Sequence, residues 1–525
     1  MASPRRSGLA PAVLAALLAV LARGHGARIL GVFPVTSVSH SMVYNPLMAA
    51  LARRGHQVVV VTPVPLADPP ANYTQVDLSA LPFVRDVFDV AAMAERGETS
   101  RYDLTSAVMD YGVSFCDEML SHEGVRKLVS PDSGERFDLV LVEQYFTFCA
   151  YGFGHRFSAP MIGILSMPPY GVGHDSVGNP TTASYIPEIY TPHDDAMGFW
   201  KRLDNLVYGL RFRHLVHGST LPRQHAVARK HFGASLPGLW ELHYNCSMLF
   251  VNYEPSLHPP RPLVPAVVHF TGLHLAKPEP LPQDIQRFLD SAPKGAIYIS
   301  LGSNVRSDKL GARSRAVFLK AFAELRGFHV LWKFESDDLP GLPGNVLIRK
   351  WLPQQDILRH PKVKLFIMQG GLQSLEEAID SGVPVIGIPF FSDQFHNLKR
   401  IVKKGIGVRL DIQDITKEKL INATKQILQD DSFRENIRRL KAIMNDQPQT
   451  SMEKVIWWTE YVIRHRGTKH LRTAALDLQW YQLLLLDVVA ALLLAVLLAC
   501  LVLWRATGFV WRKLRAPAVR KQKNN

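Results

Sequence analysis

What is scarce in this chain narrows it first. Its 525 residues contain four cysteines, Cys116, Cys149, Cys246 and Cys500, at spacings that fit no metal framework and too few for a disulfide-rich scaffold. One pair in an oxidising compartment is left open, and Cys500 lies in an apolar run. No Asp-x-Asp pair occurs, so no metal site is expected. No period of solenoid length repeats. Charged residues make up 20% and hydrophobic ones 47%, which excludes a disordered chain. Acids are fewer than bases, giving a formal charge of +14, but the excess is local. Residues 1–27 carry three basic groups and residues 505–525 carry seven, with no acid in either; removing these ten leaves about +4 on the body. That is too little for a polyanion-binding surface, and no nucleic-acid partner is expected.

The termini carry most of the addressing information. Arg5 and Arg6, an apolar run at 9–21 and small residues at Gly26-Ala27 read as a cleavable secretory signal over 1–27. Residues 483–504 are almost continuously apolar, long enough to cross a bilayer, with Trp480 and Tyr481 at one boundary and the basic tail 505–525 beyond. The positive-inside tendency puts that tail in the cytosol and the body in the lumen, a single-pass type I protein. Lys521 and Lys523 resemble the dilysine retrieval signal of endoplasmic-reticulum membrane proteins. Sequons at Asn72, Asn245 and Asn422 fit a lumenal chain, whereas Pro180 blocks the one at Asn179.

The body reads as two α/β domains. Residues 28–35 form a strand, 41–54 a helix with Met42, Leu47, Met48 and Leu51 at helical spacing, and 57–62 another strand, which predicts a parallel sheet. His40 falls at the carboxyl end of the first strand, where ligands of such sheets gather, and the strand 137–142 delivers Glu143 to the equivalent end. Further strands are expected near 160–167, 248–254 and 267–272. Residues 170–240, rich in aromatics and histidine, read as the source of an apolar acceptor pocket. The first domain covers 28–275. A proline-rich linker occupies 276–295, and a second domain, 296–470, opens with AIYISLGS, whose turn at Gly302-Ser303 is a candidate diphosphate contact. A final helix at 451–466 leads to the membrane.

The stretch 351–397 organises the second domain. An apolar run at 363–368 ends in Gln369-Gly370-Gly371, and a helix follows with Leu372, Leu375, Ala378 and Ile379 on one face. Unpartnered N–H groups at such a helix start favour a diphosphate, and two glycines let it approach the backbone. Glu377, two turns in, suits the paired hydroxyls of a ribose, and Asp393 and Gln394 suit sugar hydroxyls. Trp351 offers a flat face for a base and Gln354 a two-sided hydrogen-bonding group. The ordered set W-x-P-Q, H-P, Q-G-G-x-Q-S-x-x-E, G-V-P and D-Q resembles the signature of the UDP-glycosyltransferases, the superfamily of the UDP-glucuronosyltransferases and insect-type UDP-glucosyltransferases.

The resemblance implies two facing Rossmann-like domains, the GT-B architecture, plus the C-terminal transmembrane helix. It implies that Trp351 stacks on uracil, Glu377 holds the ribose, and Asp393 and Gln394 contact the transferred sugar. It also makes His40 the base: His40 stands sixteen residues before His56 of RGHQVVVV, as the family's base does. A histidine suits removal of an acceptor hydroxyl proton near neutral pH. Glu143 takes the place of the acid that orients this base, with Glu where the family has Asp. Gln369 replaces the more usual His before the glycines, as insect-type members often do. With no metal or other cofactor expected, the leaving UDP depends on the helix start and on Ser303, Gln369, Gln373 and Ser374. The expected activity is inverting transfer of a hexose, glucose favoured, from a UDP-sugar to a small lipophilic hydroxyl acceptor. The alternatives are a glucuronosyl donor or a binding protein without turnover. A receptor ectodomain would need a disulfide or repeat pattern that is missing. Self-association is left open.

Overall fold

The computed structural model describes residues 26–98, 100–168 and 170–515. The expected leader therefore lies almost wholly outside the described residues, as do Lys521 and Lys523. The chain forms two compact units, one ending at Arg472 and one beginning at Thr473.

The first unit is built on two parallel sheets. Strands β1 (Arg28–Val32), β2 (Gln57–Thr62), β3 (Tyr73–Asp77), β4 (Leu139–Glu143), β5 (Met161–Leu165), β6 (Met248–Asn252) and β7 (Val267–Phe270) pair in the order β3-β2-β1-β4-β5-β6-β7. Sequences such as VVVV in β2 and LVLV in β4 are apolar on both faces because helices cover both sides of a parallel sheet. Leu30 pairs with Val59 on one side and Val140 on the other. The second sheet contains β8 (Gly295–Ser300), β9 (Phe328–Lys333), β10 (Val346–Arg349), β11 (Val363–Met368), β12 (Val385–Gly387) and β13 (Gly407–Arg409), in the order β10-β9-β8-β11-β12-β13. In each sheet the strand order reverses once, between β1 and β4 and between β8 and β11. Such a reversal opens a crevice at the strands' carboxyl ends.

Each sheet has a core on either face. The helix Ser451–His465, which the sequence places with the second domain, packs instead on the first sheet. Val455, Ile456 and Val462 enter the same cluster as Val43, Tyr44 and Leu47. Arg54 Nε donates to Glu460 at 2.6 Å, and the Thr271 amide donates to Ser451 Oγ at 3.0 Å. The chain thus crosses between the sheets twice, which ties them together at their margins.

Cys116 and Cys149 form a disulfide, with Cα atoms 6.1 Å apart, that joins the helix Arg101–Ser121 to the segment after β4. Asn72, Asn245 and Asn422 are exposed; Asn422 stands inside the helix Lys417–Gln429 rather than on a loop. In the second unit the helix Leu486–Arg515 is long and apolar enough to cross a bilayer. It starts three residues after the apolar stretch does and continues through it into Arg505, Arg512 and Lys513.

Candidate active site

The crevices of the two sheets meet in one cleft of about 430 Å³. On the first sheet, the helix Val38–Arg53 begins just past β1 and carries His40 in its first turn, while Glu143 is the last residue of the neighbouring β4. His40 Nδ1 lies 2.5 Å from Glu143 Oε1. Tyr44, one helical turn beyond His40, donates its hydroxyl to the same oxygen at 3.0 Å. Burial holds the Tyr44 phenol well above its ordinary range, so it stays a donor. Glu143 is 1% exposed and His40 9%. A proton shared between Nδ1 and Glu143 corresponds to the tautomer in which Nε2 carries the lone pair. The extra methylene of Glu143, compared with Asp, is accommodated within this short bond.

On the second sheet, β8 leads into the turn at Gly302 and β11 into Gln369-Gly370-Gly371, ahead of the helix Leu372–Ser381. Gly302 and Gly370 have φ of +80° and +99°, a region that side chains rarely adopt. A Cβ on Gly302 would stand 2.2 Å from Gln369 Nε2, so the two turns lie in close contact. Gln369 Oε1 accepts from Gln394 Nε2 at 3.1 Å, which leaves the Gln369 NH₂ pointing at the glycine turn as a donor. Gln394 Oε1 in turn accepts from the Phe390 and Phe391 amides at 2.8 and 3.1 Å.

Other residues expected at the site divide by their partners. Trp351, 63% exposed, lines the cleft, with Lys333 Nζ 5.5 Å from its ring centroid. Glu377 and Ser374 line the cleft, and Gln354 Nε2 donates to both, at 2.5 and 2.9 Å. Gln354 Oε1 accepts from Tyr298, so the amide bridges Tyr298, Ser374 and Glu377 along the cleft wall. Gln373 also lines the cleft, but its amide reaches across to the Ser166 carbonyl of the first domain at 2.7 Å. Ser303 lies beside Asn304, whose side chain meets Ser37 of the first domain. Asp393 accepts from Asn397 Nδ2 at 2.8 Å; burial raises its carboxyl, opposed by the hydrogen bond from Asn397.

Two lining residues carry no pattern that singles them out in the sequence. Lys333, at the end of β9, donates to the Gly302 carbonyl at 3.0 Å and Glu335 at 2.6 Å, placing a cation beside the glycine turn. Tyr145, two residues past Glu143, sits 5.5 Å ring to ring from His40, and burial pushes its phenol up to about 12. Their position at strand ends is the signal that could have found them. The apolar wall is also a correction. Of the described residues from 170 to 240 only Tyr190 lines the cleft. Phe88, Val90, Leu104, Val108 and Met109 supply the wall instead, because 170–240 folds into helices, such as Phe199–Leu215 and Leu221–Phe232, that back this layer.

Solved glycosyltransferases share the arrangement of two facing parallel sheets. The calicheamicin glycosyltransferase CalG4 aligns with a TM-score of 0.58 at 17% identity, covering 84% of this chain and 99% of that one. A UDP-glucosyltransferase from Polygonum tinctorium aligns with a TM-score of 0.55 at 16% identity, covering 85% and 100%. The fold is GT-B, two facing Rossmann-like domains. A model of the family described as UDP-glucoronosyl and UDP-glucosyl transferase matches residues 28–521, and the chain belongs to that family. It is 36% identical to UDP-glucosyltransferase 2 of Dactylopius coccus over 93% of this chain and 94% of the relative. It is 30% identical to UDP-glucuronosyltransferase 1A3 of Homo sapiens over 90% of each. The protein is therefore a glycosyltransferase.

Proposed function

We propose that this enzyme transfers glucose from UDP-glucose to the hydroxyl of a small lipophilic acceptor, with inversion, and that His40 is its base. The observation that carries the mechanism is the 2.5 Å contact between His40 Nδ1 and Glu143 Oε1 at the floor of a cleft whose opposite wall carries Asp393 and Gln394. His40 Nε2 takes the acceptor proton as the acceptor oxygen attacks the anomeric carbon. The bond from that carbon to the β-phosphate oxygen breaks, and UDP leaves with the electron pair. Attack opposite the leaving group turns an α-linked donor into a β-glycoside. Glu143 holds the imidazole tautomer and stabilises the imidazolium. The first-turn N–H groups of the helix Leu372–Ser381, the Gln369 NH₂ and Lys333 meet the charge on UDP. No metal or other cofactor enters this scheme.

Glucose over glucuronate is supported by the charges. The half-buried carboxyl of Asp393 would face a uronate, while Arg101 on the cleft wall is held by Asp204 at 2.6 Å and Lys333 by Glu335. A relative named as a UDP-glucosyltransferase, at 36% identity, supports the same reading. A lipophilic acceptor follows from the wall of Phe88, Val90, Leu104, Val108 and Met109. A lumenal endoplasmic-reticulum location, with the helix Leu486–Arg515 as anchor, is supported by the Cys116–Cys149 disulfide, which suits an oxidising compartment, and by three exposed sequons.

One assay tests these points: radiolabelled UDP-glucose and UDP-glucuronate offered with a panel of phenols to intact and detergent-opened microsomes. Glucosides formed mainly after opening are expected. Glucuronides alone would reverse the donor assignment, and full activity in intact vesicles, which exclude the donor, would reverse the orientation. For Gln369, Gln369→Ala is expected to weaken UDP binding by roughly 1.5–3 kcal/mol, the range for a lost hydrogen bond to a charged group. Parental affinity by calorimetry would show that this amide does not touch the diphosphate.

A further inference from the structure

The helix Leu372–Ser381 presents two neighbouring buried glutamates in different directions. Glu377 lines the cleft; Glu376, 2% exposed, does not. Instead Glu376 Oε1 accepts from Thr271 Oγ1 at 2.5 Å and the Gly272 amide at 3.2 Å, and Oε2 accepts from Asn252 Nδ2 at 3.2 Å. Asn252 ends β6, and Thr271 and Gly272 follow β7, where the chain leaves the first sheet for the second domain. One carboxylate thus gathers the ends of two strands of the acceptor domain onto a helix of the donor domain. Gln373, one turn earlier, joins the same grip through Ser166, which follows β5. The His274 ring lies between the carboxylates, Nδ1 3.6 Å from Glu376 and Nε2 3.5 Å from Glu377. Burial lowers His274 to about 4, so at neutral pH it supplies no positive charge.

Among the described residues Glu376 has no cationic partner, and a buried carboxylate so placed is a costly way to join two surfaces, which apolar side chains would join with less desolvation. What it adds is direction: three donors from three residues fix the helix against the strand ends in both translation and rotation. We propose that Glu376 is a positioning residue of sugar transfer, fixing the acceptor domain, and His40 with it, over the donor bound by the same helix. The proposal rests on the reading of His40 as base on one domain and the sugar contacts on the other. In that arrangement the distance from base to anomeric carbon depends on how the domains are held, and a displacement of about 1 Å costs up to about 10²-fold in rate.

The test is Glu376→Ala in the full-length enzyme, with three readouts. Expected are a loss of kcat of about 10- to 10²-fold, an unchanged affinity for UDP, and faster amide hydrogen exchange in the 271–275 segment, where the Gly272 N–H has lost its acceptor. Glu376→Gln, which keeps an acceptor oxygen, is expected to recover most of kcat. A parental kcat in Glu376→Ala overturns the proposal, as does a loss of kcat matched by an equal loss of UDP affinity, which would place the effect in the nucleotide site through Glu377. If Glu376→Ala does not fold, Thr271→Val removes one donor at constant shape, and its parental kcat would overturn the proposal equally. The exchange readout needs no substrate, so an error in the donor sugar or in the role of His40 leaves it standing and is recognised separately.

Discussion

His40→Ala lowers sugar transfer by roughly 10²–10⁴-fold, the range for a lost general base, and leaves UDP affinity nearly intact. The two effects separate because His40 stands on the first sheet, whereas the proposed nucleotide contacts stand on the second. Glu143→Gln is expected to cost less. An amide at that position still accepts from Tyr44 and from the imidazole N–H but offers no charge to the imidazolium that forms during transfer. Single-turnover rates with UDP-glucose, set beside calorimetric UDP binding, distinguish these cases. Near-parental turnover in His40→Ala would remove His40 from the mechanism, and an unchanged rate in Glu143→Gln would reduce Glu143 to a packing role.

Glu377→Gln is expected to change affinity and stability in opposite directions. If the carboxylate accepts ribose hydroxyls, its loss weakens UDP binding by roughly 1.5–3 kcal/mol per bond, or about 10- to 10²-fold in Kd. Stability follows from proton linkage. Burial pushes Glu377 up to about 7, and Glu376 beside it likewise. The folded protein therefore keeps protons that the unfolded chain releases near the ordinary carboxyl value of about 4.3. The stability contributed by each group is fully present below about 4.3 and is lost as pH rises towards about 7, by up to about 1.4 kcal/mol per pH unit. Glu377→Gln removes one of these groups. Its melting temperature should gain on the parent between pH 5 and pH 8, while UDP protects it less. Thermal melts at both pH values, with and without UDP, check both signs. A variant that follows the parent's pH profile and binds UDP as tightly would remove the carboxylate from both roles.

Much of this protein was legible in local sequence. Apolar runs such as QVVVVT and LVLVE read as strands buried on both faces, and Gln369-Gly370-Gly371 marked a turn whose Gly370 adopts a φ that side chains rarely take. His40 and Glu143 stand at strand ends, but their roles and those of the signature residues were named through the resemblance to the UDP-glycosyltransferases. Tertiary structure decided what these side chains face. Helical spacing gives Gln373 and Glu376 a shared face but does not say that it meets Ser166, Asn252 and Thr271, which lie from 105 to 207 residues away in the chain. The occupied amide of Gln354, the cation of Lys333 at the glycine turn and the wall supplied by residues 88–109 are of the same kind. So is the return of the helix Ser451–His465 to the first sheet, where it is covered by the helix Val38–Arg53. Propensity and periodicity fix an element and its apolar side. The partner of that side is chosen by long-range packing, which no window of sequence contains.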